Sequence, residues 1–183
     1  AGTLVVVSDA TVTITGNPTI SELNAIAAKT DGVVTATLAA ASLSDLGALT
    51  TAGTDQITIT VSDADAAAVT ASDLSTLGGK TTGTVTVTNA VAITGSASEV
   101  TAALVTSDTL VNVTDPAVTI NDADGDAVAA TALSAIGAKT SGTVTVTNAV
   151  AITGSAAEVT AALVTAGTLV VVSDATVTIT GNP

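Results

Sequence analysis

The chain has 183 residues, three of them Lys and sixteen Asp or Glu, giving a net charge of −13, and it contains no Arg, His, Cys, Met, Phe, Tyr or Trp. Without thiols or imidazoles there is no disulfide framework and no soft metal site, and so acidic a surface, lacking cationic and aromatic platforms, repels nucleic acid and anionic membrane faces. Catalysis draws on the same missing side chains and is not expected, whereas 47% hydrophobic against 10% charged residues is too apolar for a disordered chain.

The elements follow in order. A strand is expected at Leu4 to Val7, a corner at Ser8-Asp9 and a second strand at Thr11 to Thr15, because alternating β-branched residues fit a pleated surface and Asp or Asn side chains satisfy turn backbone. Thr19 and Glu22 before Leu23 then form a capping pattern that opens a short helix, with Leu23 and Ile26 as its apolar stripe. A strand at Val33 to Thr37 precedes a second cap, Ser42 with Asp45, and the stripe Leu46 with Leu49. Ile57 to Val61 and the corner Ser62-Asp63 lead to Thr70 with Asp73, and to Leu74 with Leu77. Thr84 to Thr88, turning at Thr88-Asn89, leads to Ser96 with Glu99, and to Val100 with Leu104. Leu110 to Thr114, turning at Thr114-Asp115, leads to a start at Ala129 to Ala132 that keeps only its apolar stripe, Leu133 with Ile136. Thr143 to Thr147, with its corner at Thr147-Asn148, leads to Ser155 with Glu158 and to Val159 with Leu163, and a last corner stands at Ser173-Asp174. Helices of two or three turns do not survive alone, so they must pack on the strands.

Repetition decides the architecture. Residues 1–18 recur unchanged as 166–183, a period of 165, and residues 83–106 recur at 142–165 with Ala157 in place of Ser98 as the only difference. Helix starts fall 23 to 33 residues apart, six to the period, so the coil is about 27 residues long, within the solenoid range. Coils also alternate. Three helices end in Lys-Thr-x-Gly, at 29–32, 80–83 and 139–142, and the others in Ala-Leu-x-Thr, so the unit is a coil pair of about 55 residues. Each Lys suits the negative end of its helix and the Gly suits a left-handed turn. The expected fold is a right-handed α/β solenoid of strand, corner, strand, turn, helix and turn, in one continuous segment over 1–183. Val and Ile point in, Thr points out, and the corner Asp and Asn residues ladder up one edge. At strand spacing of about 4.8 Å, six coils rise roughly 29 Å.

The segments SDLSTLGGKT at 72–81, TSGTVTV at 140–146 and TDGVVTATLAAASLSDLGALT at 30–50 resemble the repeats of the very large, low-complexity cell-surface proteins of marine cyanobacteria and other aquatic bacteria. The likeness covers most of the chain. It implies an extracellular, repetitive, structural or adhesive role and brings no catalytic residues with it.

Few motifs carry chemistry. Asp122, Asp124 and Asp126 stand at alternate positions in the longest coil, the oxygen density that calcium favours. This is not an EF-hand, because Gly125, Ala127 and Leu133 occupy its fourth, sixth and twelfth places, and a solvated loop insertion explains the cluster as well. The copy at 62–67 keeps Asp63 and Asp65. Gly79-Lys80-Thr81 resembles the tail of a phosphate loop, yet it ends a helix and puts Leu74 where the first Gly belongs. Thr-x-Thr runs at 11–15 and 84–88 would order water as ice binders do if they stacked in flat ladders. They fall at different distances from the caps, which favours ordinary outward strand residues. Asn112-Val113-Thr114 matches a glycosylation acceptor but sits in a strand.

The expected function is therefore a structural repeat segment of an extracellular filament or cell-surface stalk, joining other copies of itself end to end. The alternative is a binding module, either an ice-binding Thr face or a calcium-dependent adhesin. No cofactor is expected apart from calcium at the Asp122, Asp124, Asp126 loop, and neither nucleic acid nor membrane insertion is expected.

Overall fold

The computed structural model describes residues 7–109, 111–168 and 170–181. In chain order the elements are β1 (Val12–Thr13), α1 (Ile20–Ala27), β2 (Val34–Thr37), α2 (Leu43–Leu46), β3 (Gln56–Val61), β4 (Ala68–Thr70), α3 (Ala71–Gly78), β5 (Val85–Val87), β6 (Ala92–Gly95) and α4 (Ala97–Leu104). A single 3-10 turn at Ser107–Thr109 precedes β7 (Asn112–Val113), β8 (Ala117–Ile120), β9 (Ala127–Ala129), α5 (Ala130–Gly137), β10 (Val144–Val146), β11 (Ala151–Gly154), α6 (Ala156–Leu163), β12 (Val170–Val172) and β13 (Thr176–Ile179). The expected strand at Leu4 to Val7 lies, but for Val7, outside the described residues, as does Leu110.

The helices begin where their caps are. Thr19, Ser96 and Ser155 each accept the N–H of the Glu three residues on, and each Glu reaches back to the main-chain N–H of its cap. At α2 and α3 the third residue is Asp, and only the forward half of the box forms. Asp is one methylene too short to return to the cap N–H and bonds the Ser42 or Thr70 hydroxyl instead, at 2.7 Å in both. Ala129 offers no cap bond. Helix α2 is a single turn, and Leu49 beyond it is buried all the same.

Strands alternate as expected: Ile57, Ile59 and Val61 of β3 are buried while Gln56 and Thr58 are exposed. The core is wholly aliphatic, with Leu23, Leu46, Leu74, Ile93, Leu133 and Ile152 among its fully buried members. Each such side chain contributes about 1.5–3 kcal/mol, which is what holds helices too short to stand alone.

Every strand pair is parallel, and paired residues of the named strands lie 21 to 26 residues apart in sequence. The fold is thus α/β with parallel sheets. Three open sheets run β1-β2-β3-β5-β7, β12-β10-β8-β6-β4 and β13-β11-β9.

The stacking is not a plain copy-on-copy array. β8 pairs on one side with β6, the strand that leads into α4, and on the other with β10, which precedes a corner: Val118 faces both Ile93 and Val144. Likewise Val61 of β3 bridges Ala41, just ahead of the Ser42 cap, and pairs with Val87 on its other side. The strand columns therefore step by one position at every second turn of chain. The step breaks the expected corner ladder. Asn89 donates to the carbonyl of Asp63 at 2.6 Å, but Asn148 donates to Asp122 at 2.7 Å rather than to the corner residue Asp115. Asp115 instead accepts the Ser141 hydroxyl at 2.6 Å.

A further correction concerns the turn expected before each helix: β4, β6, β9 and β11 run into α3, α4, α5 and α6 with at most the cap residue between.

Candidate functional site

The loop at 121–126 and its counterpart at 62–67 lie on one edge of the stack, and their carboxylates are committed to main chain. Asp122 accepts the N–H of Ala97, the first residue of α4, at 2.7 Å; Asp63 does the same for Leu43 at the start of α2, also at 2.7 Å. Asp124 accepts from Ala149 at 2.9 Å and Asp65 from Ala90 at 3.1 Å. Asp126 closes its own loop by accepting from Ala123 at 3.0 Å. Asp122, Asp124 and Asp126 thus turn to three different segments. Among the described residues no group of three or more acidic side chains is arranged to hold a metal ion. What the arrangement does is fill the orphan N–H groups of a helix start with a carboxylate from the following turn of chain.

The Lys-Thr-x-Gly segments form a second seam. The Lys80 ammonium donates to the carbonyls of Gly47 and Leu49, at 2.9 and 2.5 Å. It therefore caps the end of the preceding helix, α2, rather than that of its own. Thr81 is buried; its hydroxyl accepts the N–H groups of Ile57 and Gly83 at 2.7 and 2.8 Å and lies 2.9 Å from the carbonyls of Asp55 and Ile57. Thr30 and Thr140 repeat the motif, donating to Ala10 and Pro116 at 2.6 and 2.7 Å. The Gly that ends the motif is not left-handed, since the positive-φ glycines of the chain are Gly16, Gly125 and Gly181. It is required because a Cβ on Gly32, Gly83 or Gly142 would sit 2.4, 2.3 or 2.4 Å from a carbonyl oxygen of the preceding turn.

Asp55 is buried beside this seam, accepting from Val34 at 2.8 Å and Ala52 at 2.9 Å, while its own carbonyl takes the N–H of Thr82 at 2.7 Å. An open groove of about 450 Å³ runs between α2 and α3, with Leu43, Asp63, Val69, Asp73 and Lys80 among its walls. Its charged groups are engaged: Asp63 and Asp73 serve helix starts and Lys80 a helix end. The carboxyl of Glu22 is held below its ordinary range by the Thr19 main-chain N–H and then by the Thr19 hydroxyl.

No family model matches this chain, and neither a curated protein nor a solved structure matches it.

One alignment was hidden in the sequence. Thr70, Thr94, Thr119 and Thr145 face one another in register across β4, β6, β8 and β10. Their distances from the helix caps differ, and the column step at β8 is what brings Thr119 into line with both neighbours. No helix among the described residues is long and apolar enough to cross a membrane.

Proposed function

We propose that this chain is a structural repeat segment of an extracellular filament or cell-surface stalk, wound as a right-handed solenoid of six coils per 165 residues and continued end to end by further copies of itself. The observation that carries this reading is the last strand: all four residues of β13 are exposed, Val177 and Ile179 by 45% and 54%. The side chains engaged by hydrogen bonds serve neighbouring turns of chain, and the likeness to repetitive surface proteins of aquatic bacteria supports a place outside the cell. An acidic, Thr-rich skin keeps such a rod hydrated and apart from its neighbours, and the reading needs neither catalysis nor a cofactor. Electron microscopy of the native material tests it. Unbranched fibres of uniform width are expected, and isolated globular particles would overturn it.

The four-membered Thr column favours a second reading, an ice-binding face. Freezing-point hysteresis of the purified protein is the test, and its absence removes that reading.

A further inference from the structure

Residues 7–16 and 172–181 are the same ten residues seen in two settings. In the first, Val12 and Ile14 pack against the core, and their N–H groups donate to Val33 and Thr35 of the next turn at 3.0 and 2.9 Å. Ser8 and Ala10 accept there from Asp31 and Thr30. In the second setting the N–H groups of Thr176 and Thr180 donate to Val150 and Gly154 of the preceding turn, at 2.9 and 2.8 Å, and nothing lies on the far edge of β13. The two settings use alternate N–H groups of one strand, which point to opposite edges. The chain therefore displays both halves of a single joint, the lower at one end and the upper at the other.

We propose, resting on the end-to-end reading above, that two copies of this chain join by segment exchange: residues 166–181 of one copy replace residues 1–16 of the next in their place beside β2, pairing Val177 with Val34 and Thr178 with Thr35. Simple stacking would place two copies of one segment where the repeat has room for one. Exchange leaves the paired surfaces as they are in sum, because one segment covered on both edges replaces two covered on one edge each. The displaced segment regains its chain entropy, which offsets the cost of association.

The chain has no Cys, so introduced pairs report cleanly. Thr13 and Thr35 are partners across neighbouring strands, which lie about 4.8 Å apart and within disulfide reach. In the full chain, Thr13→Cys with Thr35→Cys locks residues 1–16 in place when oxidised. Light scattering and microscopy are expected to show end-to-end multimers for the unmodified chain and for the reduced variant, and monomers for the oxidised one. Circular dichroism of both forms confirms that the variant folds. In Thr35→Cys with Thr178→Cys, oxidation is expected to link separate copies into a ladder on a non-reducing gel. If the oxidised Thr13→Cys/Thr35→Cys variant assembles as well as the reduced one, exchange is wrong and plain stacking stands. Chains that stay monomeric throughout, with no 35–178 link, overturn the end-to-end reading together with the exchange.

Discussion

Asp122 accepts the main-chain N–H of Ala97 at 2.7 Å from a position 25 residues further along the chain. Ala97 already follows a full capping box made by Ser96 and Glu99, so the carboxylate adds an acceptor that α4 cannot supply itself. Replacing Asp122 with Ala is expected to cost about 1–2 kcal/mol, the range for loss of a helix cap, and to lower the melting temperature by roughly 2–8 °C for a chain of this size. Asp122→Asn keeps an acceptor and should lose less. A thermal melt in which Asp122→Ala matches the unmodified protein would remove this bond from the stabilising set.

The same geometry sets the expectation for calcium. Asp122, Asp124 and Asp126 bond N–H groups of Ala97, Ala149 and Ala123, which lie in three separate segments, so an ion would have to draw those carboxylates off their partners. Millimolar calcium should leave the melting temperature unchanged. A rise that disappears in Asp126→Ala would show instead that the loop closes around the ion.

How much was legible follows from how local each signal is. Five caps were readable because Thr19 with Glu22, and its four counterparts, act within a single turn of helix. β4 and β9 were not, since Ala68–Thr70 and Ala127–Ala129 are three residues each with one β-branched core residue, Val69 or Val128. The step at β8 was hidden because nothing in Ala117–Ile120 states which strand of the turn below it will meet. Asp122 was picked out correctly as an oxygen donor in need of a partner. The partner is an amide 25 residues earlier, a distance over which spacing carries no information.

Gly83 tests the close approach of successive turns. A Cβ there would lie 2.3 Å from the Ile57 oxygen, whereas at Gly167 it would meet nothing within 4 Å. Gly83→Ala is expected to destabilise by about 3 kcal/mol, the upper part of the usual overpacking range, and Gly167→Ala to stay within about 0.5 kcal/mol of neutral. Denaturant midpoints measured side by side decide it; equal midpoints would mean that the turns are not in contact there.

Ala66 and Gly125 occupy corresponding places in the two loops, both with positive φ, +59° and +82°. Their N–H groups make equivalent bonds to Ala90 and Ala149, 2.9 Å each. The left-handed region costs an L-residue roughly 1–2 kcal/mol, of which Gly returns part as chain entropy in the unfolded state. Ala66→Gly should therefore stabilise by about 0.5–1 kcal/mol, and Gly125→Ala should destabilise by a similar amount. Shifts of the same sign in both variants would contradict the shared conformation.

Glu22 gives the one pH dependence with a clear sign. Its carboxylate accepts the Thr19 main-chain N–H at 2.9 Å and lies 2.8 Å from the Thr19 hydroxyl, and these bonds hold its pKa below the ordinary value in the folded chain. The folded pKa is the depressed one, so the contribution to stability is complete above the unfolded pKa and fades as pH falls through the folded one. The unmodified protein should exceed Glu22→Gln in stability at neutral pH, with the gap narrowing in acid. Thr19→Ala removes the hydroxyl but leaves the N–H, the larger cause, so it should raise the Glu22 midpoint only part of the way. Carboxyl carbon shifts followed by NMR through the acid range report both changes, and a Glu22 midpoint equal in the native and urea-unfolded chain would show that the capping box does not form in solution.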